Sequence, residues 1–215
     1  MIAGKLLSSA VAACVLVGLV ACASPVVMPA PSVTATTPVD TSPAVVTVSA
    51  STVSVTTKTG VVLEAFDYFT DADAVVALLT DAFGSAPTVE HIPGLEEPGY
   101  TSYGWSGFQL QALDAGADAY PPLRVTVVVT SVGDVLISTV DGISVGANAD
   151  AVAAAHPDTT QEFALTNGPN HYAIRLDETT LTGPTGETYG VYVGLGAEVG
   201  GPVTSIAAPQ LSLGV

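Results

Sequence analysis

Positive charge is almost absent from this chain. Four Lys and Arg stand against 20 Asp and Glu, a formal net charge of −16 at pH 7. A nucleic-acid-binding surface neutralises phosphates with clustered cations. Lys5, Lys58, Arg124 and Arg175 are too few and too scattered for that, so the class is excluded. The same field repels anionic lipid headgroups. Cysteine is as scarce, with Cys14 and Cys22 the two present. No long hydrophobic run exists either. The longest, Ala10 to Ala21, is about a dozen residues, and a membrane-spanning helix needs about 20.

What the N-terminus does have is a positive start (Met1 to Lys5), that short apolar run, and small residues behind it. This is the layout of an export signal. The run ends in Leu19-Val20-Ala21-Cys22, which resembles the lipobox of bacterial lipoproteins: an aliphatic residue, a tolerant position, a small residue, then cysteine. The resemblance covers residues 1 to 22. It implies that Cys22 receives a diacylglycerol and that a signal peptidase cuts between Ala21 and Cys22. The protein is then expected on the outer, extracytoplasmic face of the cell membrane, held by lipid. Two acyl chains anchor a protein stably where one does not. The competing reading is an ordinary secretory signal with Cys22 incidental. Removing residues 1–21 takes Cys14 away and leaves Cys22 acylated, so no disulfide is expected and the fold must be held by its core.

Residues 22–44 form the expected linker. They hold Pro25, Pro29, Pro31, Pro38 and Pro43 with many Thr and Ser, and no aromatic residue. Proline removes backbone donors and favours an extended chain, so this segment cannot build a core. The folded domain is expected over 45–215. Val46, Val48, Val53 and Val55 alternate with Ser and Thr, the pattern of half-buried strands. Gly60 ends the first hairpin, which returns through Val61 to Phe66. Thr70 to Phe83 reads as an amphipathic helix with its hydroxyl cap at Thr70 and Gly84 as its stop; Leu78, Leu79 and Phe83 fall on its apolar face. A second, shorter helix is expected from Asn148 to His156, with the His156 side chain meeting the negative helix end.

The order of elements repeats. The hairpin 53–66 precedes Ala72-Asp73-Ala74-Val75, and an expected hairpin 125–140 precedes Ala149-Asp150-Ala151-Val152. This predicts an α+β fold of two similar halves, about 45–122 and 123–215, each a β-hairpin, a helix and further antiparallel strands. The arrangement is similar, at the level of architecture, to β-lactamase inhibitory protein and other tandem helix-plus-sheet domains of exported bacterial proteins. That likeness implies a sheet face that grips a protein partner, and fold does not decide function.

No chemical motif stands out. Gly104-Trp105-Ser106-Gly107-Phe108 departs from the nucleophile elbow at Phe108, and its flanks alternate as strand, so a bulge at Ser106-Gly107 is the better reading. Gly194, Gly196 and Gly200 are spaced one residue too long for a dinucleotide loop. His91 beside Glu90, Glu96 and Glu97 offers metal-type ligands, but zinc prefers two or more His or Cys, so solvated loop charge is favoured. Asp114 and Asp118 with Gly116 are too sparse for a calcium loop. His171 opens a strand. No catalytic residue, metal or cofactor is therefore expected. The expected role is binding of a protein or another envelope ligand, against the alternatives of an unrecognised hydrolase and a passive envelope protein.

Overall fold

The computed structural model describes residues 41–94, 98–114, 120–164 and 168–212. The chain divides into two units, Met1–Pro38 and Val39–Val215, and all the described helices and strands lie in the second. The signal segment, Cys22 and nearly all of the linker lie outside the described residues, as do Glu96, Glu97, Gly116 and Asp118. No helix among the described residues is long and apolar enough to cross a membrane.

The chain begins with β1 (Val45–Val48), β2 (Thr52–Thr56) and β3 (Val62–Asp67), then the helix α1 (Ala72–Phe83). The strands β4 (Thr88–Ile92), β5 (Tyr100–Trp105), β6 (Phe108–Leu113) and β7 (Leu123–Val127) come next. After them come β8 (Ser131–Val132), β9 (Val135–Thr139) and the helix α2 (Ala149–Ala155). The last four strands are β10 (Thr160–Phe163), β11 (His171–Thr182), β12 (Thr188–Glu198) and β13 (Val203–Leu211).

These strands make two sheets. The smaller has the order β3-β2-β1-β9-β8, antiparallel except where β1 runs parallel to β9. The larger has eight strands in the order β10-β11-β12-β13-β7-β6-β5-β4, antiparallel throughout. The expected α+β class is thereby corrected. Thirteen strands against helices of 12 and 7 residues make a largely β protein among the described residues. The hairpin expected over 125–140 is shorter: β8 and β9 turn back on each other in the smaller sheet, while β7 joins the eight-stranded one. Each helix is succeeded by a four-stranded meander, β4–β7 or β10–β13. The meanders join where β7 pairs with β13, Thr126 opposite Ala207.

Alternation along the strands places the core. Val46, Val48, Val53 and Val55 of the small sheet are buried, as are Phe108, Leu110, Val125, Val127, Leu195 and Ile206 of the large one, and all belong to one apolar cluster. The helix α1 adds Val75, Leu79, Ala82 and Phe83 to it, while Leu78 is half-buried. Phe83, Trp105 and Phe108 pack at tilted to edge-on angles with ring centroids 5.3–6.2 Å apart. The cap of α1 is Asp71, whose Oδ1 accepts from the amides of Asp73 and Ala74 at 3.1 and 3.2 Å, rather than Thr70. The Thr70 hydroxyl donates to Asp67 Oδ1 instead. Gly84 takes the left-handed stop at φ 64°. Asn148 caps α2 through Ala151 N at 2.8 Å. At the other end of α2 it is the His156 backbone amide, donating to the Val152 and Ala153 carbonyls, that closes the helix.

One polar junction ties the two sheets. In the turn between β1 and β2, the Ser49 carbonyl accepts from the Tyr68 hydroxyl at 2.7 Å, and the Ala50 amide donates to Asp177 Oδ2 at 2.7 Å. Asp177 stands at φ 51°, in β11 where its register with β12 shifts. A bulge re-aims a side chain in this way.

Candidate functional site

The sequence-derived candidates come apart in the structure. Ser106 and Gly107 are not a bulge but the two-residue turn of the β5–β6 hairpin, with Trp105 opposite Phe108 and positive φ at both residues (46° and 102°). That is the signature of a type I′ turn. Ser106 is exposed at the tip of two strands, with no following helix to make a nucleophile elbow. A Cβ on Gly107 would lie 2.4 Å from Val129 Cγ1, so the turn needs glycine for space as well as for φ. Gly194 and Gly196 lie within β12, and Gly200 in the turn to β13, with no helix after them.

His91 sits on the edge strand β4, its Nδ1 3.9 Å from Asp114 Oδ1, both side chains about half exposed. Exposed pairs of this kind contribute little. Glu90 is exposed on the same strand. Among the described residues no three His, Cys, Asp or Glu converge to hold a metal ion. The His171 ring stacks on Phe163, centroids 5.9 Å apart, which gives it a packing role.

The arrangement that does converge was not singled out by any motif. It is the face of the eight-stranded sheet turned away from the core. Register pairing lines up Arg175, Gly194, Ala207, Thr126, Gln109, Gly104 and Thr88 in one row across seven strands. Six strand spacings of about 4.8 Å make this row about 29 Å long. A second, shorter row holds Arg124, Gln111, Ser102 and Glu90. The intervening positions, such as Val125, Val127, Leu195 and Ile206, are the buried ones, so the row is what the pleat presents outward.

Two hollows of about 270 Å³ each lie on this face. One is floored by Gly194 and Gly196 and bounded by Arg175, Tyr192, Ser205 and Gln210. The other is bordered by Gly104, Gln109, Thr126 and Val128. The glycines of β12 make the first. Side chains of β13 lean across them, so that a Cβ on Gly196 would lie 2.6 Å from Ser205 Oγ. Gln109, which borders the second hollow, is held in an amide chain: Gln111 Nε2 donates to Gln109 Oε1 at 3.3 Å, and Gln109 Nε2 to Ser102 Oγ at 2.6 Å.

Both arginines of the sequence are on this face. The Arg175 guanidinium lies over the Tyr192 ring at 5.0 Å and that of Arg124 over Tyr120 at 4.7 Å. Among the described residues neither forms an ion pair, despite the excess of acids; the pair that does form is His91–Asp114. Stacking holds each guanidinium in place while leaving its in-plane N–H edge available. A different hollow, between α1 and β3, is lined by Val55, Leu63, Leu78 and Ala82 with Glu64 and Asp81 at its rim, and carries no cation.

The signal for this face was present in the sequence. From Gly190 to Ala197, every other residue is Gly or Tyr and the rest are Val, Leu and Ala. Such alternation strips one side of a strand of its side chains. Comparison with protein families, with characterised proteins and with solved structures gives no match to this chain.

Proposed function

We propose that the protein is a lipid-anchored binding module of the cell envelope, and that it binds with the outer face of the eight-stranded sheet. The anchor rests on Leu19-Val20-Ala21-Cys22, where Cys22 carries the lipid and Ala21 is the last residue removed. A proline-rich tether of about twenty residues at about 3.1 Å each would reach on the order of 60 Å, enough to hold a domain clear of a membrane it repels. The observation that carries the binding reading is the outward row itself. It is open and polar, it is built on glycine and alanine, and it is flanked by two arginines to which no described acid is paired. A sheet face with no function in recognition has no need to keep its arginines unpaired with any described acid in so acidic a chain.

Two experiments test the two parts. Cys22→Ser should abolish acylation, and the protein should leave the detergent phase on partitioning. A processed Cys22→Ser protein that still enters the detergent phase removes the anchor. For the face, Ala207→Trp places an indole at the centre of the row without touching the core. In the Cys22→Ser background, where no lipid holds the protein, the Ala207→Trp variant should keep its melting temperature and lose sedimentation with isolated envelope fragments. Undiminished sedimentation would show that the face is not the binding surface.

A further inference from the structure

We infer that the ligand of this face is a polysaccharide bearing carboxylate groups, an inference that rests on reading the face as the binding surface. Three features have to be matched at once. The first is charge. Arg175 and Arg124 offer guanidinium forks, whose geometry fits a carboxylate in bidentate fashion. They stand on β11 and β7, three strand spacings or about 14 Å apart across the sheet. One compact anion cannot meet both, whereas carboxylates repeated along an extended chain can. The acidic remainder of the protein repels such a polymer everywhere else, which confines contact to this face.

The second feature is the chemistry of the face around the arginines. Thr126, Ser205, Gln109 and Gln111 are neutral groups that donate and accept hydrogen bonds. Sugar hydroxyls also do both, so each has a complementary partner here whichever way its proton points. The third is shape. Each hollow, at about 270 Å³, falls below the usual range of about 300–1,000 Å³ for pockets that enclose a compact ligand. Both are shallow, and Ala207 and Thr126 join them without a wall. Consecutive rings of a chain lying across the strands fit that form. A protein partner would seat an aromatic or aliphatic anchor in a central desolvated pocket. Neither hollow has one, and Val128 is the single exposed large apolar side chain among the residues that line them.

The test is calorimetric titration of the full-length protein in detergent micelles with three probes at one ionic strength: oligogalacturonate, the same oligomer after reduction of its carboxyls, and poly-glutamate. Oligogalacturonate should bind, and the reduced oligomer should bind weaker by about tenfold or more, the worth of a charge-assisted hydrogen-bonded pair. Arg175→Gln and Arg124→Gln should each weaken oligogalacturonate by a similar factor, and Lys58→Gln should not. Equal affinity for the reduced oligomer overturns the inference, as does an equal loss on Lys58→Gln. Preference for poly-glutamate overturns it in favour of an acidic polypeptide. If none of the probes binds while Ala207→Trp still releases the protein from envelope fragments, the polysaccharide assignment fails and the binding face stands.

Discussion

Tyr68→Phe removes a single hydroxyl from the point where the two sheets are tied. Tyr68 is fully buried, and its O–H donates to the Ser49 carbonyl at 2.7 Å. The variant leaves that carbonyl without its donor in the interior, which costs about 1–3 kcal/mol. A second effect comes from the proton. Burial first, and the negative charge of Asp177 second, raise the Tyr68 pKa far above the ordinary value of 10.0. The folded state therefore keeps the proton where the unfolded chain loses it. The stability contributed by this group is intact below pH 10.0 and falls as pH rises above it. One unit above the unfolded value, at about pH 11, the loss is about 1.4 kcal/mol. Urea unfolding of both proteins at pH 8 and pH 11 reads this directly. The wild type should be the more stable by about 1–3 kcal/mol at pH 8, and the gap should narrow by about 1.4 kcal/mol at pH 11. A gap that does not change with pH means the hydroxyl is not shielded. A gap near zero at pH 8 means the bond to Ser49 is not made.

The helix α1 gives a contrast between neighbours: Leu79→Ala should cost about 2–5 kcal/mol as a buried truncation, and the exposed Asp81→Ala should stay within about 0.5 kcal/mol, both from chemical denaturation. Similar costs for the two would reverse the assigned face. Gly107→Ala should lower stability by more than about 1 kcal/mol, because φ 102° is strained for alanine and its Cβ would meet Val129; an unchanged melting temperature would contradict the type I′ turn.

Local signals were legible in the sequence wherever they are local in origin. Gly84 stops α1, Asn148 caps α2, and the valines of β1 and β2 alternate as their burial does. The misreadings came from pairing, which short-range pattern does not encode. Tyr103 and Trp105 differ in parity from Phe108 and Leu110, and a bulge was the expected remedy. A two-residue hairpin does the same work, because residues facing each other across it, Trp105 and Phe108, share a side of the sheet. The strand β7 runs on from Leu123 with good alternation, yet its partners are β6 and β13 rather than the neighbouring β9. β4 hid inside a segment rich in Pro and Gly. The class was misjudged because β11 is interrupted at Asp177 and β12 carries glycines at outward positions, which weakens the strand signal in the longest strands of the fold. Of the outer face, only the glycine alternation of β12 was legible; its row was not, because Arg175, Thr126 and Gln109 are far apart in the chain and become neighbours only through register.

Binding through the outer face of the eight-stranded sheet is tested most directly by tracking side-chain N–H resonances of the full-length protein in micelles as solubilised envelope fragments are added. The guanidinium signals of Arg124 and Arg175 and the amide signals of Gln109, Gln111 and Gln210 should shift together, while the indole N–H of Trp105, bonded to the Ser85 carbonyl in the interior, stays in place. Added fragments that leave the arginine and glutamine side-chain signals all unmoved would contradict it.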